Sequence, residues 1–121
     1  MAHDQAVVFR RTIATSATQA STLGDFGPFG PGYYGPFETH LARDLAVSGS
    51  IDAGDYQAFL EGAIGDEWGV LKQKFSVTTL VLSGANKFYG VAEIVPRVRW
   101  HVTSIASGST LTLNLYGMGV Q

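Results

Sequence analysis

The sequence contains no cysteine, and it has only four prolines in 121 residues. The lack of cysteine excludes disulfide frameworks, zinc sites built on thiolates and cysteine nucleophiles. A chain of this length can bury a hydrophobic core without such covalent or metal supports. We therefore expect a fold that is held together by packing alone.

Charge is also scarce, because charged residues make up 15% of the chain and the formal net charge is −2. A slightly acidic balance of this kind does not attract nucleic acid or anionic membranes by bulk electrostatics. A free monomer normally carries more surface charge than this. The chain is therefore either compact and rich in loops, or it has much of its surface covered by partners.

Long apolar runs are absent as well. No stretch approaches the roughly 18 consecutive apolar residues of a membrane span. The N-terminus lacks the charged and then apolar layout of a signal peptide. We expect a soluble protein that is made in the cytoplasm and has no membrane partner.

The clearest pattern that is present is the alternation of apolar and polar residues near the C-terminus. It covers residues 97–103 and 110–116, and it is typical of strands with one buried face. The side chains predicted to point inward are Val98, Trp100, Val102, Leu111, Leu113 and Leu115. The first strand would then present Arg97, Arg99 and His101 outward.

Further strands are predicted over residues 6–13, 75–82 and 87–95, where β-branched and aromatic residues are frequent. Segments 83–86 and 106–109 have the length and composition of hairpin loops. Together, the strands from residue 75 onward predict an antiparallel meander.

One short helix is predicted over about residues 53–64. Asp52 can cap it, and its apolar residues recur with helical spacing. Residues 39–47 fit either a helix or a strand, and we favour a strand or irregular structure. The predicted fold is therefore mainly β, an antiparallel sandwich or barrel with one helix, in a single domain of residues 1–121.

The most unusual segment is an arm and loop over about residues 15–37. Residues 15–22 are rich in Ser, Thr, Ala and Gln, and the loop that follows combines Gly-Pro pairs with aromatic rings. The loop could be a lid on its own sheet, a contact with a neighbouring subunit, or a stacking platform for sugars or bases. Its aromatic residues are Phe26, Phe29, Tyr33, Tyr34 and Phe37.

No catalytic, metal or cofactor site is predicted. His3, His40 and His101 lack the spacing of metal ligands. Residues 30–35 match the dinucleotide-binding string, but Pro31 and two tyrosines would crowd a pyrophosphate. The acids Asp52, Asp55, Glu61, Asp66 and Glu67 could form a carboxylate pair of the glycosidase type, although capping and solvation explain them more simply.

Arg97, Arg99 and His101 form the one basic stripe of the sequence. On a strand they project from one face at spacings of about 7 Å, which is comparable with the phosphate spacing of nucleic acid. The net negative charge makes nucleic acid an unexpected partner, and we prefer an ion-paired face between subunits.

Taken together, these features resemble those of small auxiliary or structural proteins of tailed-phage virions. The resemblance lies in a cysteine-free β-rich chain of this length, the arm at residues 15–22, the aromatic Gly-Pro loop and the C-terminal strands. It implies repeated copies, symmetric contacts and no catalysis. No residue role is carried over from it.

The predicted function is therefore that of a non-enzymatic structural protein in a virion or a similar assembly. Its partners would be copies of itself or other virion proteins, contacted through Phe26, Phe29, Tyr33, Tyr34, Phe37, Arg97, Arg99 and His101. The alternative is a carbohydrate-binding β module that stacks a glycan on Tyr33, Tyr34 and Trp68. An enzyme with an acid site assembled by folding is a third hypothesis.

Overall fold

Nine strands and no helix make up the part of the chain that the structure, a computed structural model, describes. The described residues are 5–15, 32–39, 42–76, 78–84, 87–106 and 108–120. The strands are β1 Gln5–Thr15, β2 Tyr33–Glu38, β3 Asp44–Ile51, β4 Tyr56–Ile64, β5 Glu67–Val70, β6 Val81–Ser83, β7 Lys87–Gly90, β8 Arg97–Ile105 and β9 Leu111–Val120.

The strands form two antiparallel sheets. The first sheet has the order β1-β9-β3-β7, and the second has the order β2-β8-β4-β5, with β6 also pairing with β4. The inner faces of the two sheets share one hydrophobic core. This arrangement confirms the prediction of a mainly β antiparallel fold, and of the two predicted alternatives it is the sandwich and not the barrel.

The core is built from the inward-facing side chains that the alternation of apolar and polar residues predicts. In β9 the side chains of Leu111, Leu113 and Leu115 are fully buried, and in β8 those of Trp100 and its two valine neighbours are fully buried. The second sheet adds Tyr56, Leu60 and Leu82, among others, from β4 and β6. Strands that present leucine, valine and tryptophan to one face are therefore stabilised chiefly by burial of those side chains.

The prediction of a helix over about residues 53–64 is wrong, because residues 56–64 form β4. Ala58 and Leu60 are buried in the core, while Gln57 between Tyr56 and Ala58 is exposed. Gly62 lies so close to Leu71 and Val95 that a Cβ atom would collide with them. Tyr56 and Leu60 are four residues apart, so they satisfy both the helical and the strand period, and pairing with β8 along the whole strand decides between them.

The predicted C-terminal meander is also wrong. β6 and β8 belong to the second sheet, whereas β7 and β9 belong to the first. The connections from β6 to β7 and from β8 to β9 therefore pass between the sheets, and they do not close hairpins. Turn residues mark where a strand ends, but they do not specify the strand with which the next one pairs.

The strand predicted over residues 75–82 is reduced to β6, which begins at Val81. The residues before it form a turn in which the Gln73 amide donates to the Thr78 carbonyl (3.0 Å) and the Leu80 amide to the Leu71 carbonyl (2.8 Å). Leu80 and Leu82 are buried, but Phe75 is not. The other predicted strands are present in part or in full, including β3, which begins at Asp44.

Three polar atoms of the core have no hydrogen-bond partner among the described residues: Tyr34 Oη, Tyr56 Oη and Trp100 Nε1. Burial raises the pKa of Tyr56 to about 12, and the nearby charges of Tyr89 and Asp55 act in the same direction. The phenol of Tyr56 is therefore neutral over the ordinary pH range and acts as a core side chain.

Candidate interaction surfaces

The outer face of the second sheet carries a compact group of charged and aromatic side chains, which we call the Arg99 cluster. Strand pairing brings the group together, because β8 lies between β2 and β4. Tyr33 lies opposite His101 in the register, and Glu61 lies opposite Arg99. The members of the cluster are Tyr33, Glu61, Trp68, Arg97, Arg99 and His101.

Glu61 is the electrostatic centre of this cluster. Its Oε1 atom accepts a hydrogen bond from Arg99 Nε at 2.7 Å, and the side chains of both residues are 12% exposed. Its Oε2 atom lies 3.4 Å from His101 Nδ1, a contact that becomes an ion pair when the imidazole is protonated. A carboxylate and a guanidinium that are so little exposed have lost most of their hydration, and the ion pair between them compensates for that loss.

The aromatic rings of the cluster surround the arginine side chains. Tyr33 stacks on His101 with ring centroids 4.1 Å apart and an interplanar angle of 11°. The Arg99 guanidinium carbon lies 4.5 Å from the centroid of Tyr33 and 4.2 Å from that of Trp68. The guanidinium carbon of Arg97 is 5.6 Å from the Trp68 centroid. These are cation–π distances, so the charged groups and the rings stabilise one another within the chain.

The structure places the predicted interface residues in different environments. Arg97, Arg99 and His101 lie on the outer face of β8, as their alternation predicted, although Arg99 and His101 contact Glu61 of the same chain. Tyr34 is 3% exposed and belongs to the core, so the prediction that it presents its ring to a partner is wrong. Phe37 is half-buried against the core. Phe26, Phe29, His3, His40 and nearly all of the arm lie outside the described residues.

The acids that were considered for catalysis have structural contacts. Asp55 Oδ1 accepts hydrogen bonds from the amides of Tyr56 (2.7 Å) and Gly84 (2.5 Å). Asp52 Oδ1 accepts one from the amide of Thr110 at 2.9 Å. The two side chains therefore tie turns together and do not cap a helix. Within the described ranges, no group of three or more acidic or histidine side chains could hold a metal ion.

A second surface lies beside the β4–β5 hairpin, and we call it the end groove. Its volume is about 320 Å³. Its walls are mostly apolar, and two of the wall residues, Ile64 (74% exposed) and Val70 (44% exposed), are open to solvent. Two carboxylates, Glu67 and Glu93, also line it. The lining residues are Gly62, Ile64, Glu67, Trp68, Gly69, Val70, Leu71, Glu93 and Val95.

The turn after Leu71 carries the most exposed large apolar side chain of the described residues, Phe75, which is 96% exposed. Its φ angle is 62°, in the left-handed region that a bulky residue seldom adopts. The turn is fixed by the Lys74 amide, which donates to the Gly90 carbonyl at 2.9 Å, and by the ion pair between Lys74 Nζ and Asp44 Oδ2 at 2.5 Å. An apolar side chain is thus held away from the core on an ordered turn.

Sequence reasoning missed both Phe75 and the end groove. Phe75 begins the segment 75–82 that the sequence predicts as a strand, on the same face as Val77 and Val81. An exposed turn could have been predicted from the polar residues around Phe75, because Lys74 and Ser76 are its immediate neighbours and Lys72 lies close by in the sequence. The groove had no local signal, because its walls come from β4, β5 and residues 93–95, which are distant in sequence.

Comparison with known proteins gives a match of fold. No protein-family model matches the sequence, and no curated protein matches it. A solved structure, the SPBc2 prophage-derived protein YomS, is similar with a TM-score of 0.55 and 13% sequence identity. The match covers 94% of this chain and 98% of that chain. In the described residues, no helix is long and apolar enough to cross a membrane. The chain therefore shares its fold, over nearly its whole length, with a protein derived from a prophage.

Proposed function

We propose that this protein is a non-enzymatic structural component of a bacteriophage virion or a similar multi-subunit assembly. Its partners would be copies of itself, other virion proteins, or both. The observation that carries the proposal is the fold match to a prophage-derived protein, which extends over nearly all of both chains.

The surface supports a role in contacts. Several large apolar side chains are exposed on a chain in which charged residues are few. Exposed apolar groups that lie close together are typical of surfaces that bind other proteins. Ile64, which is 74% exposed, lines the end groove beside Leu71 and Val95, so this part of the surface is suited to a protein neighbour.

The ionisable side chains support the non-enzymatic part of the proposal. Asp52 and Asp55 bond to backbone amides, and Glu61 is paired with Arg99 and His101 on an outer sheet face. A general acid or base needs to reach a substrate, and these carboxylates are already engaged by other groups of the chain. Their contacts are those of structural residues.

The carbohydrate-binding alternative is not supported by the surface. Stacking of a sugar requires open aromatic faces, and Tyr34 is buried. The Arg99 guanidinium lies over the rings of both Tyr33 and Trp68. We therefore propose one function only.

The test is whether the chain is part of a particle. Particles released by the host that carries the gene would be purified by density-gradient sedimentation, and their proteins would be quantified by mass spectrometry. We expect the chain to sediment with the particles at a fixed ratio to the other virion proteins, before and after a high-salt wash. Recovery of the chain only from the soluble fraction, while particles form normally, would contradict the proposal.

A further inference from the structure

We propose that two copies of this chain form a symmetric dimer in which Phe75 of each copy inserts into the end groove of the other. The inference rests on the proposed function and specifies one subunit contact that it requires. Phe75 and the end groove are the two elements of the contact, and each chain carries both.

The Phe75 turn has the properties of an inserting element. The phenyl ring is 96% exposed, while the backbone that carries it is held by hydrogen bonds to Gly90 and between Gln73 and Thr78. The φ angle of 62° is unfavourable for phenylalanine, so residue 75 carries a conformational cost in a single copy, where the Lys74 ammonium lies 5.5 Å from the ring centroid. Burial of the ring in a second copy would compensate for both its exposure and its backbone conformation.

The end groove has the properties of the acceptor. Its walls include Ile64, Leu71 and Val95, which offer aliphatic contacts to an aromatic ring. Its volume of about 320 Å³ is large enough to accommodate a phenyl ring. A buried aromatic anchor in a well-packed pocket is the usual centre of binding energy in a protein interface.

The positions of the two elements favour a two-fold arrangement. Leu71 lines the groove, and four residues further along the chain Phe75 stands at the tip of the turn. Four residues of extended chain span at most about 13 Å, so Phe75 lies within that distance of the Leu71 wall of the groove. A two-fold axis between two such surfaces can place each phenylalanine in the opposite groove, which is the isologous contact typical of dimers.

Charge favours the same pairing. Lys72 and Lys74 flank the Phe75 turn, while Glu67 and Glu93 line the groove. The Lys72 amide donates to Glu93 Oε1 at 2.9 Å, which fixes the base of the turn to the groove wall of its own copy. Lys74 is paired with Asp44 of its own copy, so a reciprocal insertion brings chiefly Lys72 of one copy toward the glutamates of the other.

The experiment is sedimentation velocity on purified chains over a concentration series. It would compare the wild type, Phe75→Asn, Ile64→Lys and an equimolar mixture of these two variants. Asparagine tolerates the left-handed conformation of residue 75, and lysine at position 64 would repel the lysines of an incoming turn. Val7→Asn is the matched control, because Val7 is also exposed but lies on β1, at the opposite edge of the first sheet from β7.

We expect the wild type and Val7→Asn to dimerise with similar dissociation constants. Each of the two test variants should dimerise at least ~10-fold more weakly, which is the loss of about 1.4 kcal/mol at an interface. The mixture should form heterodimers, because Ile64→Lys supplies an intact Phe75 and Phe75→Asn supplies an intact groove. Neither variant alone can make either contact, so this recovery is specific to insertion of Phe75 into the groove. Only one of the two reciprocal contacts is restored, so the heterodimer should be weaker than the wild-type dimer.

Three outcomes would overturn the dimer. They are a wild type that stays monomeric, a Phe75→Asn variant that dimerises as the wild type does, and a mixture that forms no heterodimer. Circular dichroism and thermal unfolding would establish that both variants are folded. The particle experiment reads out the proposed function independently, so a chain that sediments with particles but shows one of these outcomes would overturn only the dimer.

Discussion

The Arg99 cluster and the Phe75 end of the molecule show opposite ways of using a surface. In the cluster, charged and aromatic side chains contact one another within the chain, and Arg99 and Glu61 are each only 12% exposed. At the Phe75 end, large apolar side chains are held in water on ordered backbone. The charged and aromatic residues of the Arg99 cluster thus contact one another within the fold, while the apolar residues at the Phe75 end remain available for a partner.

This contrast has an energetic consequence. When two charged side chains pair with little solvent exposure, removal of either one destabilises the folded chain, because the other charge is left with neither a counter-ion nor full hydration. An exposed apolar side chain contributes little to the stability of its own chain, and a strained turn lowers that stability. Substitutions in the two regions should therefore have effects of different size and, in one case, of different sign.

The largest effect is expected from Glu61→Ala. Removal of this carboxylate leaves the Arg99 guanidinium little exposed and without its ion pair, and we expect the free energy of unfolding to fall by about 3 kcal/mol. Urea-induced unfolding, followed by circular dichroism, measures the change. The matched control is Glu67→Ala, since Glu67 is exposed and should cost less than about 0.5 kcal/mol.

A double substitution identifies the cause of that loss. If the cost of Glu61→Ala comes from the stranded charge, then Glu61→Met combined with Arg99→Met should recover much of it, because an apolar pair needs no hydration. Equal costs for Glu61→Ala and Glu67→Ala would mean that the cluster does not contribute to folding as its geometry indicates.

A smaller effect of opposite sign is expected from Phe75→Asn in the monomer. Asparagine adopts a positive φ more readily than phenylalanine, so the free energy of unfolding should rise by about 1 kcal/mol when it is measured at dilution. Phe88→Asn is the control, because Phe88 is also exposed but lies on β7 without a positive φ. That substitution should give no gain, since asparagine is unfavourable in strands. A loss of stability in both variants would show that the turn is not strained.

The sequence allowed an antiparallel β fold and the inward faces of β8 and β9 to be predicted, because strict alternation around Trp100 and Leu113 has one physical interpretation. It did not decide between a sandwich and a barrel, because strand order is not a local property. It also placed Arg97, Arg99 and His101 on one outer face. These predictions depend only on the period of a strand, which is a local property.

The errors concern properties that are not local. The apolar residues of segment 53–64, where a helix was predicted, have a spacing that fits a strand as well as a helix. Only the pairing of β4 with β8 decides between the two structures. The carboxylate that pairs with Arg99 comes from that same strand, so the ion pair could not be predicted while residue 61 was placed on a helix. The end groove likewise combines β4, β5 and residues 93–95, whose proximity is set by sheet order.

The smallest effect is expected from Arg97→Met, at the margin of the Arg99 cluster. Ala63 lies opposite both Arg97 and Trp68 in the register and is 1% exposed, so these two side chains cover it. Methionine keeps an apolar stem over Ala63 but removes the cation that lies 5.6 Å from the Trp68 ring centroid, together with the hydrogen bond that the guanidinium donates to the Gly65 carbonyl. We expect a loss of about 0.5–1 kcal/mol in thermal unfolding, the value of a cation–π contact near the surface. Arg97→Ala should cost more, because it also uncovers Ala63. If the two substitutions cost the same, the arginine contributes through its charge alone, and the cluster margin would then depend on electrostatics and not on packing.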